Sequence, residues 1–453
     1  MRNKKLFWVL IAIALIATAC SGVSPAAVPA EAQEAEAQTS VSEEAANTSV
    51  QPADSSTEAE TSAETETNAN ATVVEDAAAE ETTEEGATTE ESASRVAKNG
   101  KPLLDDQPRS PFESYWTTDF SLHTVPYSEI ISGGPPRDGI PPIDNPKFIS
   151  VNEAATWLED QEPVFVVSIN DETKGYPLQI LTWHEVANDT VGGEPVTVTF
   201  CPLCNSAITF ERTLNGTVYD FGVSGKLRNS DLIMWDRQTQ SWWQQLTGEA
   251  IVGELVGEQL TFVPTRLISF GDFKESFPDA QVLSRDTGFN RPYGRNPYAG
   301  YDSSPSPFLF AGQPDPRLEA TERVVTVDLN DEFVAYPYEV LAEAHVVADQ
   351  VGGEDVVVFW QEGTTSALDQ SSIADSKDVG AAAVYSPIVD GQKLTFTWDG
   401  SNFVDEQTNS RWNLLGEAIE GELAGQQLTP ILHANHFWFA WAAFEPDTRI
   451  YSP

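Results

Sequence analysis

The sequence contains few positively charged residues. Only 25 Lys and Arg stand against 70 Asp and Glu, which gives a formal net charge of −45. Nucleic acids need Lys and Arg to neutralise their phosphates, so this balance argues against nucleic acid as a partner. It also repels an anionic membrane surface. Any contact with a membrane must therefore be covalent or hydrophobic.

One long segment contains no Lys, no Arg and no aromatic residue. It extends from Ser21 to Ser94 and consists mainly of Ala, Glu, Thr and Ser. Such a segment cannot bury enough apolar surface to offset its conformational entropy. We therefore predict a disordered acidic linker over residues 21–100, with the folded part of the chain after it.

The first twenty residues contain a hydrophobic run that is too short to cross a membrane. Basic residues precede Leu6–Ala17, and Ala17-Thr18-Ala19-Cys20 follows it. A hydrocarbon core of ~30 Å needs about 20 apolar residues, so the run is typical of a signal peptide. Its end resembles the lipobox of bacterial lipoproteins, which implies cleavage before Cys20, lipidation of that thiol, and an extracytoplasmic protein held to a membrane by its lipid anchor. The alternative is an ordinary cleaved signal followed by a chance cysteine.

The folded part contains an internal repeat. Gly175-Tyr-Pro177 recurs as Ala335-Tyr-Pro337, and Val191-Gly-Gly-Glu194 recurs as Val351-Gly-Gly-Glu354, each 160 residues later. Further matches follow in the same order. The chain length suits two or three domains. We predict two copies of one α+β, mainly β, unit of sheet and short helices, over residues 111–290 and 291–453.

Reactive side chains are concentrated in the first copy and are replaced in the second. At the same offset, His184 becomes Ala344, and Cys201 and Cys204 become Gln361 and Thr364. Positions that both copies share are mostly Gly, Pro and apolar residues, which backbone geometry requires. The replaced residues are therefore predicted to form a site on the first copy.

A third segment belongs to the same predicted site. It is the polar stretch that contains Arg228, Asn229 and Asp231, and nothing similar occurs in the second copy. We take these three residues and Glu185 as candidate catalytic residues. A surface ion pair, and for Glu185 a solvated helix position, are the alternatives.

Several of these motifs carry a resemblance to a known family. The chain contains YPLQILTWHEVANDTVGGEPVTVTFCPLCNSA, FGVSGKLRNSDLIMWDRQTQSWWQQ and TGFNRPYGRNPY. It resembles the bacterial domain of unknown function 3179 over roughly Tyr115 to Pro453. The resemblance implies that the WHE, CPLC and NSD motifs act together, but it supplies no reaction. The family usually has Gly at the position of Asn205.

The two cysteines of CPLC admit three interpretations. They can form an exchange-active dithiol, since a turn brings residues three apart to disulfide distance. They can bind zinc or copper, with His184 as third ligand and Glu185 or Asp231 completing the set. They can form a structural disulfide, which is common outside the cytoplasm.

Other histidines and the aromatic residues have simpler interpretations. His184 could be a core histidine, and the surface pair His433 and His436 could bind a metal separately or have no special role. Trp235, Trp242 and Trp243 are predicted to be core residues. The sequence thus predicts a lipoprotein with a metal or thiol-redox site. The alternative is a non-enzymatic binding or assembly module with a Cys201–Cys204 disulfide.

Overall fold

The computed structural model describes residues 95–108 and 115–453. The predicted signal peptide, Cys20 and nearly all of the predicted linker lie outside these residues. The described part is mainly β, with a few short helices, as predicted. Within it, no helix has the length and apolar character needed to cross a membrane.

The first half of the folded part contains sixteen short strands. They are β1 Ile130–Ser132, β2 Phe148–Ser150, β3 Pro163–Ile169, β4 Glu172–Pro177, β5 Val186–Val191, β6 Glu194–Cys201, β7 Ser206–Glu211, β8 Thr213–Leu214, β9 Thr217–Val218, β10 Phe221–Arg228, β11 Asp231–Asp236, β12 Trp242–Gln244, β13 Ala250–Val252, β14 Phe262–Val263, β15 Thr265–Ser269 and β16 Gln281–Leu283.

The second half contains the remaining fourteen strands. They are β17 Arg323–Leu329, β18 Glu332–Pro337, β19 Val346–Val351, β20 Glu354–Gln361, β21 Ala381–Ser386, β22 Ile388–Val389, β23 Gln392–Lys393, β24 Phe396–Trp398, β25 Phe403–Asp405, β26 Arg411–Trp412, β27 Ala418–Glu420, β28 Thr429–Pro430, β29 His433–Phe437 and β30 Arg449–Ile450. The helices are α1 Val151–Ala154, α2 Leu178–His184, α3 Phe270–Ser276, α4 Tyr338–Ala344 and α5 Trp438–Phe444.

Each half builds three main sheets from its strands. In the first half their orders are β15-β3-β4-β16-β2, β14-β7-β6-β5 and β1-β10-β11-β12-β13. In the second half they are β29-β17-β18-β30, β28-β21-β20-β19 and β24-β25-β26-β27. Almost all neighbouring strands are antiparallel, which suits the short turns between them. The strand orders of the halves correspond closely, while the duplication itself stays a prediction from the sequence.

Two-residue turns set the register of the hairpins. Asn170 and Asp171 join β3 to β4 with φ of 46° and 66°, and Asn330 and Asp331 join β17 to β18 with φ of 52° and 65°. A type I′ turn requires positive φ at both positions, which Asn and Asp tolerate better than most residues. The turn chemistry therefore explains why these hairpins form where they do.

The Asn215-Gly216 turn joins two strands of only two residues each. Its hairpin consists only of β8 and β9. The longer segments on either side of this hairpin lie in different sheets: β7 pairs with β6 and β14, and β10 pairs with β1 and β11. A strong local turn thus determines the pairing of the few residues next to it, but it does not determine which strands pair further along the chain.

A buried carboxylate organises the same turn in both halves. Asp236 accepts hydrogen bonds from the Thr239 amide at 2.6 Å and the Trp243 indole at 2.9 Å. Asp405 accepts hydrogen bonds from the Thr408 amide at 2.6 Å and from the Trp412 indole at 3.0 Å. Trp235, Trp242 and Trp243 are all buried, as predicted for core residues.

The hydrophobic cores contain residues from both sides of position 290. One core places Phe200 and Cys204 together with Phe437 of β29 and Trp438 of α5. A second core combines α3 and β15 with β20, β21 and β24. The folded part forms one compact unit. The halves therefore share their apolar interiors, and β29 and α5 complete the core around the cysteines.

Candidate functional site

The WHE segment lies where α2 ends. Pro177 is the residue before the helix and has φ of −60°, so the fixed φ of proline suits the entry. Glu185 ends the helix with φ of 60° and is buried. A glutamate in this left-handed conformation is uncommon. The backbone therefore turns sharply at Glu185 and directs the chain into β5.

The CPLC segment begins at the end of β6 and continues into the turn, residues 202–205, that joins β6 to β7. Cys201 is the last residue of β6, and the Cys204 amide donates to the Cys201 carbonyl at 3.2 Å. Asn205 has φ of 49°, in the region that Gly adopts most readily. This conformation explains why Asn can stand where the family usually has Gly. Both cysteines are buried free thiols.

The NSD segment is also a turn, between β10 and β11. Asn229 and Ser230 have φ of 53° and 65°, so they form a two-residue hairpin turn between Arg228 and Asp231. The Cys201 thiol donates to the Ser230 carbonyl at 3.8 Å. This contact joins the NSD turn to the CPLC turn.

Cys201, Cys204 and Asp231 form the central cluster. Their two sulfur atoms and one carboxylate oxygen all lie within 4.8 Å of one another, and all three residues are buried. Asp231 Oδ2 accepts from Gln244 Nε2 at 2.6 Å and from the Leu246 amide at 2.9 Å. Asp231 Oδ1 is buried and has no hydrogen-bond partner among the described residues. Gln244 and Leu246 thus hold one oxygen of the carboxylate, and the weak thiol donors of Cys201 and Cys204 lie beside it.

The cluster is electrostatically unfavourable for anions. Burial, reinforced by the charge of Asp231, raises the pKa of Glu185 to about 8. Burial raises the pKa of Asp231 to about 6, although its hydrogen bonds oppose the shift. Burial and the neighbouring carboxylates also raise the pKa of both the Cys201 and Cys204 thiols. Four acidic groups therefore share one buried volume.

Two tyrosines from the segment after β16 lie against this cluster. The Tyr301 hydroxyl donates to the Leu203 carbonyl inside the CPLC turn at 3.0 Å. Burial, and then the charges of Glu185 and Cys201, raises the pKa of Tyr298. The Ser230 hydroxyl donates to the Phe308 carbonyl of the same segment at 2.6 Å. This segment therefore closes one side of the site.

His184 faces a different set of partners. Its Nδ1 lies 2.7 Å from the Pro141 carbonyl and its Nε2 lies 2.6 Å from the Tyr293 hydroxyl. A carbonyl can only accept, so Nδ1 carries the proton and Nε2 accepts from Tyr293. Thr287 extends this network through the same hydroxyl at 2.5 Å. His184 therefore precedes Glu185 in the sequence, but its ring nitrogens do not belong to the group of three ligand atoms formed by Cys201, Cys204 and Asp231.

The Arg228 side chain has partners outside the group of three ligand atoms. The Arg228 guanidinium donates to Glu129 at 2.7 Å and lies over the Phe444 ring at 5.2 Å. Asn229 contributes its backbone conformation to the turn. Of the predicted site residues, Cys201, Cys204 and Asp231 come together, with Glu185 beside them.

Sequence reasoning did not single out several residues of this site. Gln244 and Ser230 contact the cluster, and Tyr298 and Tyr301 close it. Gln244, Ser230 and Tyr298 lie within the SWWQQ, RNSD and RNPY segments of the family-like motifs, so membership of these motifs could have pointed to them. Tyr301 follows the last of these segments and has no such signal.

Comparison with known proteins gives a family but no activity. A family model described as protein of unknown function (DUF3179) matches residues 137–448, which is more than half of the chain. No curated protein and no solved structure matches the chain. The matched range contains every residue of the cluster and both halves of the fold. The chain therefore belongs to the DUF3179 family.

Proposed function

We propose that this protein is a lipid-anchored, extracytoplasmic metal-binding protein whose Cys201, Cys204 and Asp231 hold one transition-metal ion, zinc in the first place. The proposal depends on one observation: three buried ligand atoms, two sulfurs and one oxygen, within 4.8 Å of one another. Two thiolates and a carboxylate are ligands that zinc takes in proteins.

The hydrogen bonds of Asp231 support a ligand role. Gln244 and the Leu246 amide fix one carboxylate oxygen, while the other is buried without a donor among the described residues. Leaving a buried carboxylate oxygen unpaired costs about 1–3 kcal/mol or more. A cation at this oxygen would remove that cost, and the two hydrogen bonds would orient the ligand as second-shell contacts do.

The donor set favours zinc over copper. Copper(I) prefers sulfur ligands, whereas zinc accepts a mixed set of sulfur and oxygen. Tetrahedral zinc with Zn–S bonds of ~2.3 Å places two sulfurs ~3.8 Å apart, so the cluster needs at most a small contraction. Three protein ligands would leave one further position on the metal, and Glu185 lies close enough to Asp231 and Cys201 to influence their pKa.

The surroundings of the thiols support metal binding over thiol exchange. Exchange-active thiols are accessible and lie next to Lys, Arg or protonated His. Here both thiols are buried beside carboxylates, His184 faces Tyr293, and Arg228 faces Glu129. A positively charged ion would balance this negative surrounding. A disulfide would leave the carboxylates unbalanced.

Metal analysis of protein purified without a His tag tests the proposal. We expect one zinc per chain, and loss of most of it in Cys201→Ser and in Asp231→Asn. The matched control is Asn229→Gly, which keeps the turn because Gly accepts its φ of 53° and should keep the metal. Copper in place of zinc would reject the zinc assignment. Absence of metal together with an oxidised Cys201–Cys204 pair would reject the site and support the non-enzymatic module.

The lipid anchor is the second part of the proposal and is supported by the sequence before Cys20. Acyl chains contribute ~0.8 kcal/mol per buried methylene, enough to hold the chain at a membrane. We expect the wild type in the membrane fraction and accessible to external protease, and Cys20→Ser in the soluble fraction. Membrane association of Cys20→Ser equal to that of the wild type would contradict the anchor.

A further inference from the structure

A cleft of about 550 Å³ lies beside α4 in the second half of the fold. Sites for small molecules typically have volumes of roughly 300–1,000 Å³, so the cleft has a suitable size. Neither the two cysteines of the CPLC turn nor Asp231 lines it. The cleft is therefore separate from the proposed metal site.

The wall of this cleft is strongly acidic. It contains six carboxylates and two cations, and both cations pair with the same carboxylate: Arg323 and Lys377 lie 3.0 Å and 3.4 Å from Asp302. Within the described residues, the other carboxylates of the wall have no ion-pair partner; they are Glu319, Glu322, Glu339, Glu362 and Asp378. Like charges gathered in one cleft repel one another and attract a cation.

These carboxylates are open to a molecule in the cleft. Glu322 is half-buried, and the other four without an ion-pair partner are exposed. Burial raises the pKa of Glu322, and the hydrogen bond from the Glu339 amide opposes the shift. Acidic surfaces are common, however, so the kind of cation needs independent evidence.

The first half of the fold shows which group lies at the corresponding place. There β3, β4 and α2 follow one another as β17, β18 and α4 do in the second half. Glu162 directly precedes β3, and Gln179 is the second residue of α2. Glu322 and Glu339 occupy the same positions relative to β17 and α4, and both line the cleft. The two places can therefore be compared residue by residue.

In the first half a guanidinium group lies against these positions. Arg285 donates from Nε to Gln179 Oε1 at 2.9 Å, and Gln179 Nε2 donates to Glu162 at 2.8 Å. Burial raises the pKa of Glu162, and the nearby charge of Arg285 opposes this shift. The first half thus fills this place with a cation of its own.

The second half has no equivalent of this guanidinium and carries more negative charge. Arg285 lies three residues after Val282, which pairs with β4. Ile450 pairs with β18 in the same way, and three residues after it stands Pro453, which has no charge. The neutral amide of the first half is also replaced by the Glu339 carboxylate. A cation from outside the chain would therefore restore the arrangement that the first half shows.

Apolar surface lies beside the carboxylates of the cleft. Tyr338, Ala342 and Val379 contribute to the same wall. A ligand with a short alkyl chain next to its positive group would remove this surface from water, which a bare metal ion cannot do. The wall therefore favours an organic cation over a metal ion.

We propose that this cleft binds the guanidinium group of a small organic cation, with Glu322 and Glu339 as its principal contacts. A guanidinium meets carboxylates with two parallel hydrogen bonds, whereas an ammonium group acts as a point charge. A second positive group on the ligand would meet another carboxylate of the wall. This binding is separate from metal binding and goes beyond it.

Three related amines test the proposed chemistry on the mature full-length protein with its metal content unchanged. Agmatine joins a guanidinium to an ammonium group by a short alkyl chain. N-carbamoylputrescine has a neutral urea of the same shape in place of the guanidinium, and putrescine has a second ammonium group. The titrations are made by calorimetry in about 0.15 M salt, where charges more than ~8 Å apart are largely screened.

We expect one agmatine per chain with a Kd of roughly 0.1 mM, because exposed ion pairs are individually weak. N-carbamoylputrescine should bind at least about tenfold more weakly, since it lacks the charge that the carboxylates meet. Absence of saturable agmatine binding would overturn the proposal. Equal binding of the urea or of putrescine would reject the guanidinium as the recognised group.

Two variants then test the position of the site. Glu339→Gln introduces the side chain that the first half carries at this place, and should weaken agmatine binding at least about fivefold. Glu339 is exposed, so this variant should fold like the wild type. The matched control is Glu422→Gln, which removes one exposed carboxylate outside the cleft and should leave binding unchanged. Equal loss in both variants would show attraction to negative charge in general, and that result, or unchanged binding in Glu339→Gln, would overturn the proposal.

Discussion

The buried histidine His436 makes a sharp prediction about how stability depends on pH. Burial lowers its pKa from 6.5 to about 3. Between these values the unfolded chain binds a proton at this position and the folded chain does not. The contribution of His436 is therefore complete above pH ~6.5 and is lost progressively as the pH falls towards the folded pKa.

The magnitude follows from the width of this window. One pKa unit corresponds to ~1.4 kcal/mol, so a fall from pH 6.5 to 4.5 should remove about 2–3 kcal/mol through His436 alone. Burial also lowers the pKa of His433 to about 4, so a single substitution should abolish only part of the total pH dependence. Other groups titrate in the same range, and only the difference between wild type and variant isolates His436.

Urea unfolding of the wild type, His436→Phe and His436→Gln at several pH values between 8 and 4.5 measures this difference. The value at pH 8 gives each variant's change in packing, which titration does not affect. From pH 6.5 downwards, the variants should lose about 1 kcal/mol less per pH unit than the wild type. Parallel loss in all three proteins would show that the folded state accepts a proton at His436, and the reasoning from burial would be refuted.

The remaining predictions concern single side chains of the site and the fold. His184→Phe should retain the metal, because its ring nitrogens bond to Pro141 and Tyr293, while thermal unfolding should show a loss of about 1–3 kcal/mol; metal loss would instead restore His184 as a ligand. Asp405→Ala should lower the free energy of unfolding by about 2–4 kcal/mol in urea, since the buried Trp412 indole and the Thr408 amide both lose their acceptor; a change below 0.5 kcal/mol would contradict this. Asn205→Ala should cost about 1 kcal/mol by thermal unfolding because of its φ of 49°, whereas Asn205→Gly should be nearly neutral; equal effects would reject backbone strain as the cause.

Much of the architecture could be predicted from local patterns in the sequence. The β-rich class agrees with the prediction, and local patterns also account for the strand ahead of Asn170, the short helix after Pro177 and the strand that ends at Cys201. These features depend on alternation, turn residues and proline, which act over a few residues. Comparison between the halves also singled out Asp231, which the structure places beside the cysteines.

Long-range partners could not be predicted in the same way. Nothing in the sequence shows that His184 turns towards Tyr293, more than a hundred residues away, or that Arg228 pairs with Glu129. The burial of His433 and His436 depends on packing between the halves, and a short polar segment gives no signal of it. Side-chain neighbours across separate sheets are set by tertiary packing, which spacing along the chain does not encode.

The contact between β29 and the CPLC turn has a consequence for biosynthesis. The Phe437 amide donates to the Cys204 carbonyl at 2.8 Å, and Phe437 to Ala442 belong to the core around both cysteines. These residues leave the ribosome well after Cys201 and Cys204, since a chain is made from its N-terminus. Until they arrive, the two thiols lack part of their cover and stand open to oxidation. The order of synthesis therefore sets a period in which the thiols are less well covered, and a disulfide formed then would be enclosed as folding ends.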